Sequence, residues 1–253
     1  AAAGREHDDA PDRCITGQVL PAAETPLPKF ATDGRVTWRG GFVQASDAAC
    51  RHLQRISDAA EGATLITEIS DIAHIAELND AASHDVFRDT AYRRELLSWM
   101  RLSRSNPRWA IDGLNAQALG LSRVESWGAN IALRKPVFDL LDAVGIAGSL
   151  IGEADKTLTA TGILLFHRPR DEDPLDSGGH YYLLLLALAS ASFATWPMAV
   201  LADRPDTRQD LERRFNLPDD HRLRTALRVG AMPPNARPGR ARLPAPDLLT
   251  VAP

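Results

Sequence analysis

The chain has 253 residues, 44% of them hydrophobic and 25% charged, which is the balance of a globular protein with ample chain for a core in one large domain, or one and a half. A formal net charge of -4 and an isoelectric point near 6.0 give no global attraction to nucleic acid, so any anion site has to be local. The two cysteines, Cys14 and Cys50, have neither CxxC nor Cys/His spacing, so the sequence implies no disulfide framework and no metal site.

The most apolar run, Tyr181 to Ala191, is too short to span a bilayer, and the beginning of the chain lacks the basic-then-apolar pattern of a signal peptide. The expectation is a cytoplasmic protein with no membrane partner. Residues 1–30 mix charged residues, Ala and Pro without periodicity, and Pro11, Pro21, Pro26 and Pro28 forbid a long helix. They read as an arm or linker before a domain at 31–253. A beginning without Met suggests a piece of a longer chain, with this arm as the remnant of an upstream half-domain.

From Asp33 the pattern changes. Arg35-Val36-Thr37-Trp38-Arg39 places Arg35, Thr37 and Arg39 on one face if extended, because side chains alternate with a period of two. A hydroxyl between two guanidinium groups suits a phosphate monoester. A helix is expected to start at Ala45-Ser-Asp47 and close at Gly62, followed by a strand over Ala63–Ile69 and a helix capped by Ser70-Asp71 with Ile72, Ile75, Ala76 and Leu78 buried.

The next predicted helix runs from about Thr90 to Leu102, with Tyr92, Leu96, Trp99 and Met100 on its apolar face and Arg93, Arg94, Arg101 and Arg104 on a solvated one. Residues 105–135 read as a long ordered loop or short helices, the usual material of lids and interfaces. Trp99, Trp109 and Trp127 are assigned to core or interface packing, with a lid over a bound ring as the alternative for one of them.

A helix at Val137–Val144 precedes a central strand at Thr157–Phe166 and a charged turn at His167–Asp176. Ser177-Gly-Gly179 then opens the most hydrophobic helix, His180–Phe193, apolar around nearly its whole circumference and expected to be buried on all sides. Ala194–Leu201 reads as a loop leading into a short strand, Asp206–Phe215 as a helix whose charges match its dipole, and Leu227–Gly230 as a strand. His52, His74 and His180 have no metal-spaced partners, and His180 reads as a satisfied buried imidazole.

Beyond Gly230 the prolines keep the chain out of helix while it carries Arg237, Arg240 and Arg242. Composition alone makes this a solvated basic tail. Taken together, Arg35-Val36-Thr37-Trp38-Arg39 and Arg240-Ala241-Arg242-Leu243-Pro244 resemble the two boxes with which the nitroreductase family of FMN proteins holds the flavin phosphate. The resemblance covers about residues 33–249. Ala91–Trp99 and Asp112–Gly120 look most like the Acg-like, dormancy-associated branch of that family.

The resemblance implies an α+β fold, a nitroreductase-like three-layer sandwich with a central mixed sheet flanked by helices and a buried central helix. It implies FMN as cofactor, NAD(P)H as reductant and a nitro, quinone or similar small-molecule acceptor. Arg35, Thr37, Arg39, Arg240 and Arg242 would hold the phosphate, and Thr195, Trp196, Pro197 and Met198 would line the ring, with core packing an equal reading for Trp196. The flavin would carry the chemistry, so no side chain is named as catalytic.

Departures from the family are the missing Ser-x-x-Asn-x-Gln-Pro-Trp segment and the Ala199-Val200 that stands where the family has glycines. Two other readings stay open: a protein that stores or secludes FMN without turnover, and a scaffold half that only pairs with another domain. The family implies a homodimer, with Leu243–Val251 as an arm, and the branch implies an internal pseudo-dimer.

Overall fold

The computed structural model describes residues 36–236. Helix α1 (Asp47–Ala59) starts where the Ser46 hydroxyl accepts the Ala49 N–H, and it buries Cys50 and Leu53. The chain turns through Gly62 at φ +78°, where a Cβ would stand 2.0 Å from the His167 carbonyl oxygen, so the turn requires glycine. Strand β1 (Ala63–Ile66) is shorter than expected, because the backbone turns into α2 (Ile69–Arg88). That helix is entered at Glu68 without a side-chain cap, and Ser70 and Asp71 lie inside it.

Next come α3 (Thr90–Trp99), capped by Asp89, and the short parallel pair β2 (Met100–Arg101) and β3 (Leu114–Asn115). Helix α4 (Arg123–Ala132) starts on a full capping box between Ser122 and Glu125. Helices α5 (Lys135–Ala143), α6 (Ala147–Ile151) and α7 (Ala154–Thr157) lead to β4 (Gly162–Pro169). The expected strand start at Thr157 gives way to this short helix, and the expected charged turn at His167–Asp176 starts later, since His167, Arg168 and Pro169 belong to β4.

Helix α8 (Pro174–Ser190) begins on Asp173, with Pro174 in its first turn. Then follow β5 (Ala194–Pro197), α9 (Val200–Asp203), α10 (Pro205–Arg214) and β6 (His221–Gly230). Residues 194–201 therefore make a strand followed by a helix, in the reverse of the expected order of loop and strand.

The main sheet has the order β1-β4-β6-β5, every neighbour antiparallel. Among the described residues its parallel component is the bridge between Thr37 and Thr195 at the β5 edge. Alternation along β4 separates two cores: Ile163 and Leu165 pack with α2, α9 and α10, while Leu164 and Phe166 pack with Leu53 of α1 and Leu184, Leu185 and Leu188 of α8. The protein is thus an α+β sandwich, with the sheet between two helical layers.

Helix α8 is not enclosed on all sides. Leu184, Leu185 and Leu188 face the sheet, whereas Leu175 and Leu183 are exposed. A third cluster, built from Leu133, Phe138 and Ala147 with Phe87, Leu96, Leu97, Met100 and Leu141, joins the end of α2 to α3, α5 and α6.

Arg93 overturns the solvated-face expectation for α3. It is 1% exposed, its guanidinium lies 4.1 Å from the centroid of the Phe138 ring, and it donates to the Phe87 and Arg88 carbonyls and to Asp139 at 3.2 Å. Arg101 is buried too, held by Asp112 at 3.0 Å and the Ser98 carbonyl at 2.6 Å. Trp99 and Trp127 are mostly exposed, so neither is a core residue. His180 is half-exposed, 3.9 Å from Glu61, rather than a buried imidazole.

Candidate functional site

The front box and the β5 segment meet although about 150 residues separate them. The Trp38 N–H donates to the Thr195 carbonyl at 2.9 Å, and the Thr195 N–H donates to the Val36 carbonyl at 3.3 Å. Thr37 is exposed and Thr195 is buried. Just beyond, Val43 bridges Ala231, and Phe42 packs so tightly over Gly230 that a Cβ there would meet its ring at 2.5 Å. The end of β6 therefore lies against the front box. Arg35, Arg240 and Arg242 are outside the described residues, as are the arms at 1–30 and Leu243–Val251.

Arg39, Trp196, Pro197 and Met198 share the wall of one cavity of about 690 Å³. Thr37 and Thr195 are not among its lining residues. That volume is within the roughly 300–1,000 Å³ of small-molecule sites.

At one end Arg39 Nε donates to Glu153 Oε1 at 2.6 Å, with Lys156 Nζ 3.6 Å from the same oxygen. Behind them Arg228, with no exposed surface, approaches Glu153 Oε2 at 3.2 Å, donates to the Arg39 carbonyl, and lies 5.6 Å from the centroid of the Trp196 ring. Burial pushes the Lys156 ammonium and the Arg228 guanidinium below their usual values, with neighbouring Arg39 adding to both shifts.

Glu153 is placed from a distance. Asp80 of α2 accepts the N–H groups of Glu153, at 2.9 and 3.1 Å, and of Ala154, at 3.0 Å, serving as the cap that α7 lacks locally. Gly152 permits this approach, since a Cβ there would stand 2.8 Å from Asp80 Oδ2. Three cations thus surround one carboxylate at the edge of an open cavity.

The rest of the wall comes from α2 to α6 and is mainly apolar: Phe87, Leu96, Leu133, Phe138 and Leu141. Among the described residues no group of three or more His, Cys, Asp or Glu is placed to hold a metal ion. No described helix is long and apolar enough to cross a membrane.

Sequence reasoning missed Glu153, Lys156 and Arg228. The signal for Arg228 was present, as one arginine between Leu227 and Val229 in an apolar strand. Nothing local marked Glu153, whose position depends on Asp80, more than seventy residues earlier.

No family model matches the chain, and no curated protein matches its sequence. It is similar to several solved structures. One is the FMN-dependent nitroreductase NfnB of Mycobacterium smegmatis in complex with NADPH, at 16% identity and TM-score 0.48, covering 88% of this chain and 97% of that one. A second is the nitroreductase with bound FMN of Bacteroides fragilis, at 11% identity and TM-score 0.46 over 88% and 97%. A third is oxidized iodotyrosine deiodinase bound to FMN and 3-iodo-L-tyrosine, at 14% identity and TM-score 0.47 over 85% and 94%.

Proposed function

We propose that the chain is an FMN-dependent oxidoreductase of the nitroreductase type, taking reducing equivalents from NAD(P)H and passing them to a small-molecule acceptor, in the Acg-like branch. The observation that carries this reading is that Arg39 of the front box lines one cavity with Trp196, Pro197 and Met198. The lining fits the group: Arg39 and Lys156, which also neutralise Glu153, bring positive charge to one end, and Trp196 and Met198 offer an apolar wall. Arg35, Arg240 and Arg242 would complete the phosphate clamp with Thr37, since Val43 pairs with Ala231 just ahead of the basic tail. Thr195 would act from behind the wall, fixing the front box through its backbone.

When bound, FMN supplies the hydride chemistry. The chain's own residues bind it, orient it and keep water away. The exposed leucines of α8, Leu175 and Leu183, support pairing with a second copy or with an upstream half-domain of the same chain.

The purified protein tests both parts. Sedimentation equilibrium should give twice the chain mass, or a monomer if the upstream half is present. Stopped-flow mixing with NADPH should bleach bound flavin within a turnover. Bound flavin that NADPH does not bleach would leave the storage reading, and a preparation that stays colourless after incubation with FMN would leave the scaffold reading.

A further inference from the structure

We propose that Lys156 is a covalent carbonyl site, where an aldehyde entering the cavity condenses with the ε-amine to form an imine. The step uses no flavin, so the proposal goes beyond the oxidoreductase reading and does not rest on it.

The sequence sets this residue apart. Of its 29 lysines and arginines, three are lysines: Lys29, Lys135 and Lys156. A guanidinium keeps its proton at neutral pH and is no nucleophile, whereas an ammonium that sheds its proton becomes one. Lys156 lines the cavity, while Lys135 is exposed and ion-paired with Asp139. The wall of the cavity therefore carries a side chain that can attack a carbonyl carbon.

Its backbone is fixed. Lys156 sits on α7, whose start is held by Asp80 and whose last residue, Thr157, is fully buried and accepts from Arg228 at 3.3 Å. Its ammonium is the most loosely held of the three cations around Glu153. Nζ lies 3.6 Å from Oε1, whereas Arg39 Nε lies 2.6 Å from that oxygen and Arg228 approaches Oε2 at 3.2 Å. Burial first, then the Arg39 guanidinium, holds the Lys156 pKa below the usual lysine value against the pull of Glu153, which enlarges the share of neutral amine.

The step balances without an oxidant. The ammonium gives a proton to water, the nitrogen lone pair forms the bond to the carbonyl carbon, and the carbonyl oxygen takes up protons and leaves as water. A protonated C=N bond remains. It carries the same charge as the ammonium it replaces, so Glu153 keeps its third cation. Acylation of the same amine would remove that charge, and this sets aldehydes apart from acyl donors as the fitting class. The mainly apolar lining beyond the cluster, with Leu96, Leu133 and Leu141, suits a hydrocarbon chain on the carbonyl.

Reductive trapping tests this on the purified full chain. Butanal and cyanoborohydride at neutral pH convert a protonated imine to a stable secondary amine, and peptide mass spectrometry locates it. Label on Lys156 should form at least about tenfold faster than on Lys135, as expected for a reactant held beside its amine, and should saturate with rising butanal while label on Lys135 grows in proportion. Lys156→Arg, which keeps a cation beside Glu153, should abolish the saturable phase of total labelling. Label on Lys156 no faster than on Lys135, growth in proportion to butanal, or a saturable phase that survives Lys156→Arg would each overturn the proposal. Flavin content and bleaching by NADPH are read separately, so the failure of either reading leaves the other standing.

Discussion

At Arg228 a guanidinium with no exposed surface lies between Glu153, Thr157, the Arg39 carbonyl and the face of Trp196. Among the described residues its Nε has no partner, so this is a buried charge compensated chiefly by one carboxylate. Removing one member of such a pair costs more than the pair contributes, because the remaining charge stays desolvated. Glu153→Gln, which leaves Arg228 buried without its carboxylate, is therefore expected to destabilise the fold by about 3–5 kcal/mol in urea unfolding, whereas Arg228→Met leaves Glu153 paired with Arg39 and Lys156 and should cost less. Glu153→Gln with Arg228→Met should recover part of the larger loss, and a cost of Glu153→Gln under about 1 kcal/mol would mean that Glu153 does not hold Arg228 at this end of the cavity. Sequence reasoning passed over Arg228, despite its apolar neighbours, and Arg93 for one reason. Charged side chains are usually solvated, and what buries these two, Trp196 for one and Phe138 for the other, lies on a distant stretch of chain.

Strands β4 and β6 carry a device of a different kind at their far end. The register shifts between Phe166 and His167, and His167 Nδ1 lies 2.8 Å from His221 Nδ1 while its Nε2 lies 3.1 Å from Thr64 Oγ1. In such a contact one ring nitrogen donates and the other accepts. Burial, the facing His221 and neighbouring Arg168 push the His167 pKa down from 6.5 to about 4. The unfolded chain thus takes up this proton first as pH falls, so stability is complete above about pH 6.5 and declines toward about pH 4. The urea midpoint should fall from pH 6.5 to pH 5, and His167→Gln should flatten that decline; an identical decline in the variant would contradict the assignment. At this scale much was legible. The Ser46 cap, the apolar run of β4 and the acid-to-base order of α10 all follow from local chemistry. Element ends were less so, because Glu68 enters α2 without a cap and α7 is capped by Asp80.

Across the whole molecule, the sheet brings residues 36–43 beside both β5 and the end of β6, so one edge gathers the two ends of the described chain. Sequence periodicity could suggest each box as an extended basic segment, yet the encounter of Arg39 with Trp196–Met198 depends on strand order, which no local pattern encodes. The apolar part of the cavity was hidden similarly, since Phe87, Tyr92 and Phe138 converge from three helices. The central claim is that this edge holds a flavin through its phosphate. Titration of flavin-free protein, followed by quenching of flavin fluorescence, tests it with FMN and with riboflavin, which lacks the phosphate. The account predicts saturable FMN binding, riboflavin weaker by about a hundredfold or more, and a loss of about tenfold or more in Arg240→Ala with Arg242→Ala, as expected for charge-assisted bonds of roughly 1.5–3 kcal/mol each. Equal affinity for FMN and riboflavin, or FMN binding untouched by the arginine substitutions, would contradict it.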